Sequence, residues 1–220
     1  MEKRKVIFGT YDTALQGAWT VAGLELSSPD FQTNYVDVPG GGLLDLSSVL
    51  TAGEPAYNAR TLKVTLENSD GDRAYREQLI RGIITELDGY RKQIRLPDDP
   101  NHYLEGRIRV KREYNDLAHA AVTISATCDP WLYNNLESEG TLTAKTQAQT
   151  ETLVNSGRRT VVPVIVVTGG PVTLVFNTNT WTLSAGAYQL PDFVLAPGEH
   201  ELTFSGTGTI QVTYREAVLL

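Results

Sequence analysis

One helical pattern stands in a chain otherwise made of short strand signals, and this contrast limits the possible folds. Residues 69–89, SDGDRAYREQLIRGIITELDG, space apolar side chains as one stripe of an amphipathic helix requires. The stripe consists of Tyr75, Leu79, Ile80, Ile83, Ile84 and Leu87. We expect Asp70 or Asp72 to cap the helix and Gly89 to end it in a left-handed conformation.

Strand patterns surround this helix in the first part of the chain. Residues 60–66, RTLKVTL, alternate apolar and polar side chains with the period of a half-buried strand. Residues 6–8 and 21–26 are shorter strands, and YRKQIRL and YLEGRIRVKREY flank a predicted turn, PDDPNH. HAAVTISATCDP adds a last strand. The order predicts an α+β fold or a β-sandwich decorated by one helix.

The second part contains strand signals throughout. VVPVIVV, VTLVFN, TWTLSAG and the segment from YQLPDF to the C terminus predict five to seven short strands broken at Gly and Pro, as in a small sandwich or jelly roll. A polar stretch, NNLESEGTLTAKTQAQTET, precedes them. We therefore place a boundary within residues 135–150 and predict two domains, 1–137 and 138–220.

Composition excludes several function classes. A formal net charge of -7 over 220 residues argues against a surface built to bind nucleic-acid phosphates. No apolar run approaches the ~20 residues of a membrane span, and we expect neither membrane insertion nor a signal peptide. The single cysteine, Cys128, suits assembly in a reducing cytosol. With His102, His119 and His200 scattered, we expect no metal and no cofactor.

The stretch NYVDVPGGGLLDL, residues 34–46, interrupts strand patterns with Pro39 and three glycines. Such a run suits a phosphate cradle, a flexible arm or a wide hairpin. A P-loop needs Lys and Ser or Thr after its last glycine, whereas Leu43, Leu44 and Asp45 follow here. A loop or arm is therefore the favoured interpretation.

Two groups of residues resemble catalytic sets. Asp98, Asp99 and Glu105 are candidates for acid–base chemistry, but DDPN is also typical of a tight turn. Cys128 beside Asp129 suggests a nucleophile, but it ends a strand and has no neighbouring base to lower its pKa. A turn and a buried inert thiol are favoured, so we predict that the chain is not an enzyme.

Two further sets suggest contact surfaces. Arg107, Arg109 and Lys111 alternate with apolar residues along one strand, which predicts a solvated face or, alternatively, a channel or subunit contact. Trp181 and Tyr188 are candidates for weak stacking on a sugar, with a place in the core as the simpler alternative.

The order of these local signals resembles the distal tail protein family of phages with long, flexible, non-contractile tails. C-terminal segments, VNSGRRTVVPVIVVTGG and LAPGEHELTFSGTGTIQVTYREAVL, resemble the second domain of that family. In the first domain the matching positions are Gly9, Trp19, Pro29, residues 36–40, residues 44–46, Tyr57, residues 60–62, residues 98–100, Tyr103, Gly106, Arg107 and residues 128–131. The resemblance therefore covers nearly the whole chain.

The resemblance implies a mainly β fold with one helix. It implies an N-terminal β-sandwich or split barrel similar to tail-tube proteins and a C-terminal galectin-like β-sandwich. It also implies a structural virion protein at the phage tail tip, assembled in the bacterial host cytoplasm. Six copies would form a ring, or stacked rings, around a channel for passing DNA. Expected partners are further copies, the tail-tube protein, the tail-associated hub protein and a receptor-binding protein; a carbohydrate-binding module for host adhesion is the alternative.

In a ring subunit, the glycine-rich stretch is interpreted as an arm that reaches a neighbouring copy. Proline stops strand pairing on one side, glycines allow a close approach, and leucines, Leu50 among them, serve as apolar anchors. A hairpin folded on its own sheet is the alternative. The predicted arm consists of Val36, Asp37, Val38, Pro39, Gly40, Leu43, Leu44, Asp45 and Leu46.

Overall fold

The computed structural model describes residues 4–47, 49 and 55–219. The chain divides into two compact units, Met1–Leu132 with Leu219–Leu220, and Tyr133–Val218. The described residues are mainly β-strand with one helix, as the sequence predicts. Leu50, one of the predicted apolar anchors, lies outside the described residues.

An antiparallel sheet forms the N-terminal unit. Within the unit the strand order is β2-β1-β7-β8-β9-β6-β3, and α1 packs on β8 and β9. The elements are β1 (Ile7–Phe8), β2 (Tyr11–Asp12), β3 (Thr20–Leu26), β4 (Tyr35–Val38), β5 (Gly42–Asp45), β6 (Arg60–Asn68), α1 (Arg73–Leu87), β7 (Arg91–Leu96), β8 (Asp99–Asn115) and β9 (Ala120–Cys128). Strands β4 and β5 form a separate two-stranded sheet.

The central strand β6 confirms the alternating pattern of the sequence. Leu62, Val64 and Leu66 are completely buried, while Thr61 and Lys63 between them are exposed. One predicted turn is tighter than expected. Only two residues, 97 and 98, separate β7 from β8, because β8 already begins at Asp99 and pairs with Leu96.

The helix α1 forms where it is predicted. The Asp72 side chain accepts a hydrogen bond from the Tyr75 backbone N–H at 2.8 Å, and Gly89 has a φ of 83° just beyond the C-terminal end. Ile80, Ile83 and Leu87 are buried. Tyr75 departs from the predicted stripe, since it is 44% exposed.

The side chain that sequence reasoning missed on this helix is Arg76, which is 1% exposed. Its guanidinium donates hydrogen bonds to three backbone carbonyls: Gly71 at 2.7 Å, and Asp116 and Leu117 at 3.0 Å each. Arg76 therefore ties the start of α1 to the turn between β8 and β9. A charge is tolerated in this buried place because carbonyl dipoles compensate it.

We predict that Arg76→Met lowers the free energy of unfolding by about 2–4 kcal/mol, because it leaves carbonyls that Arg76 had satisfied without a donor. Urea denaturation followed by circular dichroism measures the change. Arg73→Met, at an exposed position of the same helix, is the control and is expected to shift stability by less than about 0.5 kcal/mol. Equal effects of the two substitutions would contradict the bracing role of Arg76.

The C-terminal unit contains a six-stranded antiparallel sheet. The remaining strands are β10 (Leu132–Asn134), β11 (Ser138–Thr143), β12 (Gln149–Asn155), β13 (Val164–Phe176), β14 (Asn179–Leu183), β15 (Gly186–Tyr188), β16 (Gly198–Tyr214) and β17 (Ala217–Val218). The main order is β11-β16-β13-β14, with β12 on β16 and β15 on β13. Strands β10 and β17 pair with each other.

The two long strands of this unit replace the four short ones that the glycine breaks predict. The N-terminal half of β16 pairs with β12, and its C-terminal half pairs with β11. Likewise, β13 pairs with β15 before residue 169 and with β14 after residue 171. The register between β13 and β16 shifts between Gly169 and Val172. Glycines there mark an irregularity within continuous strands rather than strand ends.

This irregularity needs glycine because two backbones approach closely. A Cβ on Gly206 would lie 2.3 Å from the Pro171 carbonyl oxygen, and one on Gly208 would lie 2.4 Å from that of Gly170. The φ of Gly206, 139°, is also one that other residues rarely adopt. The apolar core of the unit includes Phe176, Phe193 and Ile210, all buried.

We expect Gly206 to tolerate substitution poorly, because its backbone lies so close to that of Pro171. Gly206→Ala should lower the free energy of unfolding by about 1–3 kcal/mol, because its methyl group must displace backbone atoms. Gly140→Ala in β11 is the matched control, since no atom lies within 4 Å of its added Cβ. That variant should be neutral or up to about 1 kcal/mol more stable. Thermal denaturation by circular dichroism compares the two, and a neutral Gly206→Ala would contradict the packing argument.

The Asn-Ser-Gly motif in the C-terminal unit has a structural role. Asn155 is 1% exposed and donates to the carbonyls of Arg159 and Leu195, both at 2.9 Å, while its side-chain oxygen accepts from Gly157 N–H at 3.0 Å. The Glu216 carboxylate accepts from Ser156 N–H at 2.9 Å. The motif therefore holds the final strand of the unit beside the loop after β12.

Candidate functional site

The glycine-rich stretch forms a β-hairpin. Tyr35 pairs with Asp45, and Val38 at the other end of β4 pairs with Gly42. Among the described residues, β4 and β5 pair with no third strand. We call residues 30–47 and 55–58 the arm, of which β4 and β5 are the hairpin. The hairpin forms, as one interpretation of the sequence requires, but it does not join the main sheet.

The sequence Val38-Pro39-Gly40-Gly41 explains the reversal of the chain. Gly41 N–H donates to the Val38 carbonyl at 2.9 Å, which closes a four-residue turn. Pro39 suits the second position of such a turn, and Gly40 has the positive φ, 77°, that the third position of a type II turn requires. Gly42 follows with a φ of 90°. The glycines therefore serve the tight turn.

All eight hairpin residues are exposed. Leu43 is 70% exposed and Leu44 49%, while Val36 and Val38 are each 43% exposed. Leu46, just after β5, is half-buried. An apolar surface of this kind on a two-stranded element is typical of a protein contact.

Alternation divides the hairpin into two faces. Val36 and Leu44 are directly opposite each other, and with Val38 they form what we call the apolar face. The other face carries the cross-strand pairs Tyr35–Asp45 and Asp37–Leu43, and we call it the acidic face. Ser47 hydrogen-bonds to Asp45, which lowers the pKa of that carboxyl group below its usual value.

The base of the arm is held by backbone hydrogen bonds and by contacts between aromatic rings. Gln32 N–H donates to the Ala56 carbonyl at 2.9 Å, and Asn58 N–H donates to the Asp30 carbonyl at 2.8 Å. The rings of Phe31 and Tyr57 lie 4.9 Å apart, and those of Tyr57 and Trp131 lie 5.5 Å apart. The sequence placed Tyr57 and Trp131 among the motif positions. It did not indicate that the Tyr57 ring contacts both Trp131 and Phe31. Their aromatic character was the available signal.

The basic residues of β8 lie on one exposed face, as the alternation predicts. Arg107 donates to the Gly89 carbonyl at 2.7 Å, and Lys111 lies 3.3 Å from Glu113. The Arg109 side chain makes no hydrogen bond or ion pair within the described parts of the chain. Sequence reasoning missed Lys63, which shares a cross-strand row with Arg109 because each pairs with Ser125 of β9. We call Lys63, Arg107, Arg109 and Lys111 the basic patch.

Trp181 and Tyr188 are both half-buried and pack against the core of the C-terminal unit. The Trp181 and Phe193 rings lie 6.2 Å apart in an edge-on arrangement, and the Tyr188 hydroxyl donates to the Ser184 carbonyl at 3.0 Å. They pair with opposite halves of β13, Trp181 with Leu174 and Tyr188 with Ile165. This packing agrees with the core alternative, and sugar contact stays a prediction.

The acidic residues that resembled a catalytic set each contact a different basic side chain. Asp98 pairs with Arg4 at 3.1 Å, Asp99 contacts His102 at 2.8 Å, and Glu105 lies 3.3 Å from Arg91. Among the described residues no three His, Cys, Asp or Glu side chains are grouped to hold a metal ion. Nor does any helix in those residues have the length and apolar character needed to cross a bilayer.

Comparison with solved structures gives an informative match. No family model and no curated protein matches the chain. The crystal structure of SPP1 Dit (gp 19.1), described as a paradigm of the hub adsorption apparatus in phages infecting Gram-positive bacteria, does match, with a TM-score of 0.69. The match covers 97% of this chain and 99% of Dit.

The chain has the fold of Dit. This confirms, for the fold, the resemblance that the order of motifs indicated. The two sequences are only 16% identical, so the likeness lies in the arrangement of strands and turns.

Cys128 is buried at the end of β9, and burial raises its pKa to about 12. Because the thiolate is the reactive form, the thiol should stay protonated and unreactive up to well above pH 9. We predict labelling by a thiol reagent at least 100-fold slower in the native protein at pH 8 than in urea. Stopped-flow absorbance with a chromogenic disulfide measures both rates. Rapid native labelling would contradict the burial.

Proposed function

We propose that this chain is a structural subunit of a phage tail tip that assembles into a hexameric ring. One observation carries the proposal: a chain with the fold of Dit over nearly its whole length projects an apolar hairpin that it does not cover itself. In a ring, the arm of each copy would grip the next copy. Such contacts join two different surfaces, and their repetition closes a circle when the rotation between copies allows.

In this proposal, residues 1–137 build the ring and residues 138–220 form a galectin-like sandwich outside it. The ring connects the tail tube to the tail-tip hub protein, and receptor-binding or peripheral baseplate proteins attach to it. The hub adsorption apparatus to which Dit belongs supports this assignment. The proposal gives the chain no catalytic role.

A channel through the ring would let DNA pass. Passage is easiest through a wall that does not bind phosphates, and the net charge of -7 suits such a wall. We therefore propose that DNA is a transient passenger rather than a bound ligand. A strongly basic channel wall in the assembled ring would contradict this point.

Leucines of the arm supply the affinity of the proposed contact. Each large apolar side chain that becomes buried contributes roughly 1.5–3 kcal/mol before the cost of ordering. A two-stranded hairpin is itself only marginally stable in water. Contact with a neighbour would therefore both order the arm and cover its apolar side chains.

We predict that Leu43→Ser, Leu44→Ser and Leu46→Ser together prevent ring formation without unfolding the protein, because they remove apolar area only from the arm. Mass photometry of the purified chain should show hexamers for the natural sequence and monomers for the triple variant. Circular dichroism checks that the fold is kept.

The control replaces two other exposed leucines, Leu15, which is 81% exposed, and Leu117, which is 91% exposed. That Leu15→Ser, Leu117→Ser variant should still form hexamers. Rings in the arm variant, or monomers of the natural chain at every concentration, would contradict the proposed function.

A further inference from the structure

We propose that the acidic face of the arm docks on the basic patch of a second copy of this chain. The inference rests on the proposed ring, because it specifies which surface of the neighbour receives the arm. Its occupant is therefore the hairpin of an adjacent subunit. Asp37 and Asp45 would face Arg109 and Lys111, with Arg107 and Lys63 at the sides.

The spacing of the charges on the two surfaces matches. Asp37 is directly opposite Leu43, so Asp45, two residues further along β5, is its diagonal neighbour. Diagonal neighbours across antiparallel strands lie about 7–8 Å apart. Alternate residues of one strand, such as Arg109 and Lys111, lie about 6.4–6.8 Å apart. Two carboxylates can therefore meet two cations at once.

Each surface contains a charged side chain without a partner among the described residues. Within residues 4–47, 49 and 55–219, neither Asp37 nor Arg109 makes a hydrogen bond or ion pair through its side chain. By contrast, nearby charges outside the two surfaces are paired, for example Arg91 with Asp129 at 2.6 Å. The unpaired groups are opposite in sign and both exposed. They are complementary surfaces, which favours a contact between copies.

The arm does not reach its own patch. In the described residues, hairpin side chains have no hydrogen bond or ion pair with Lys63, Arg107, Arg109 or Lys111. Arm and patch are thus two different surfaces of one chain, each open in the single copy. A contact of this type is head-to-tail, and it closes into a ring when the rotation between copies allows.

Tyr35 gives the acidic face a further match to arginine. It is 56% exposed and stands opposite Asp45. A guanidinium group can stack on the tyrosine ring while it pairs with a nearby carboxylate. Ion pairs at exposed sites contribute little affinity, so their role here is to fix the position and direction of the arm. Affinity on this face comes from Leu43, which is directly opposite Asp37.

Covering the basic patch also agrees with passage of DNA. Lys111 pairs with Glu113 and Lys63 is opposite Glu25, whereas the side chains of Arg107 and Arg109 have no acidic partner among the described residues. These two cations would hold phosphates if they were open to a channel. An acidic hairpin lying on them neutralises the patch. The alternative, in which the patch lines the channel uncovered, is an outcome of the experiments below.

Disulfide trapping tests the contact directly. In Asp37→Cys, Arg109→Cys double variants, mild oxidation should join copies into a covalent ladder that ends at the size of the ring on a non-reducing gel. The buried Cys128 is not expected to interfere. Asp37→Cys with Arg158→Cys, where Arg158 is exposed in the C-terminal unit, is the control and should give no ladder.

Charge exchange tests the same contact without new bonds. Asp37→Lys with Asp45→Lys, and separately Arg109→Glu with Lys111→Glu, should each abolish rings in mass photometry at 50 mM NaCl. An equal mixture of the two variants should restore rings, since every arm then meets a patch of opposite charge. Glu151→Lys with Asp192→Lys and Lys145→Glu with Arg158→Glu make the same changes in net charge at exposed sites elsewhere and should form rings.

The outcomes separate this inference from the proposed function. Suppose that the natural chain forms rings. If the cysteine variant then gives no ladder, or if both charge variants still form rings, the docking site is overturned and the proposed ring is kept. Rings in the Arg109→Glu, Lys111→Glu variant would favour a patch that faces the channel. A ladder from a chain that is monomeric by mass would support the docking site and count against a stable isolated ring.

Discussion

A two-stranded hairpin cannot cover its own apolar side chains, and this constraint shapes the N-terminal unit. β4 and β5 have no third strand or helix beneath them among the described residues, so Leu43 and Leu44 stay in solvent. The arm is held at its base, where the Tyr57 ring contacts those of Phe31 and Trp131. The arm therefore has a base held by several contacts and a hairpin with exposed apolar side chains, as suits an element that packs against a neighbour.

The remainder of the unit is a firm support for that arm. Apolar side chains on one face of β6 and β9 are completely buried. Arg76 ties the start of α1 to the turn between β8 and β9. In the C-terminal unit, Gly206 and Asn155 fix the strand irregularity and the last strand. Both positions depend on backbone geometry in this chain.

Much of this architecture is predictable from short-range patterns. The helix α1, the alternation of β6 and the turn at Pro39 and Gly40 appear in the sequence because each depends on residues a few positions apart. Tyr75 and Arg76 show the limit of this reasoning. A helical wheel places Tyr75 in the buried stripe, but in the structure Arg76 is the buried residue. Its guanidinium binds the turn between β8 and β9, which only the fold brings next to the helix.

Local patterns in the sequence predict a mainly β chain, one capped helix and a glycine turn between two strands. The order of its motifs resembles that of the distal tail protein family. Tertiary structure alone decided that the hairpin stands apart from the main sheet, that β13 and β16 continue through their glycines, and that Lys63 joins the basic residues of β8. The reason is physical: strand pairing joins residues far apart in the chain, and no local pattern specifies which strand becomes the neighbour of which.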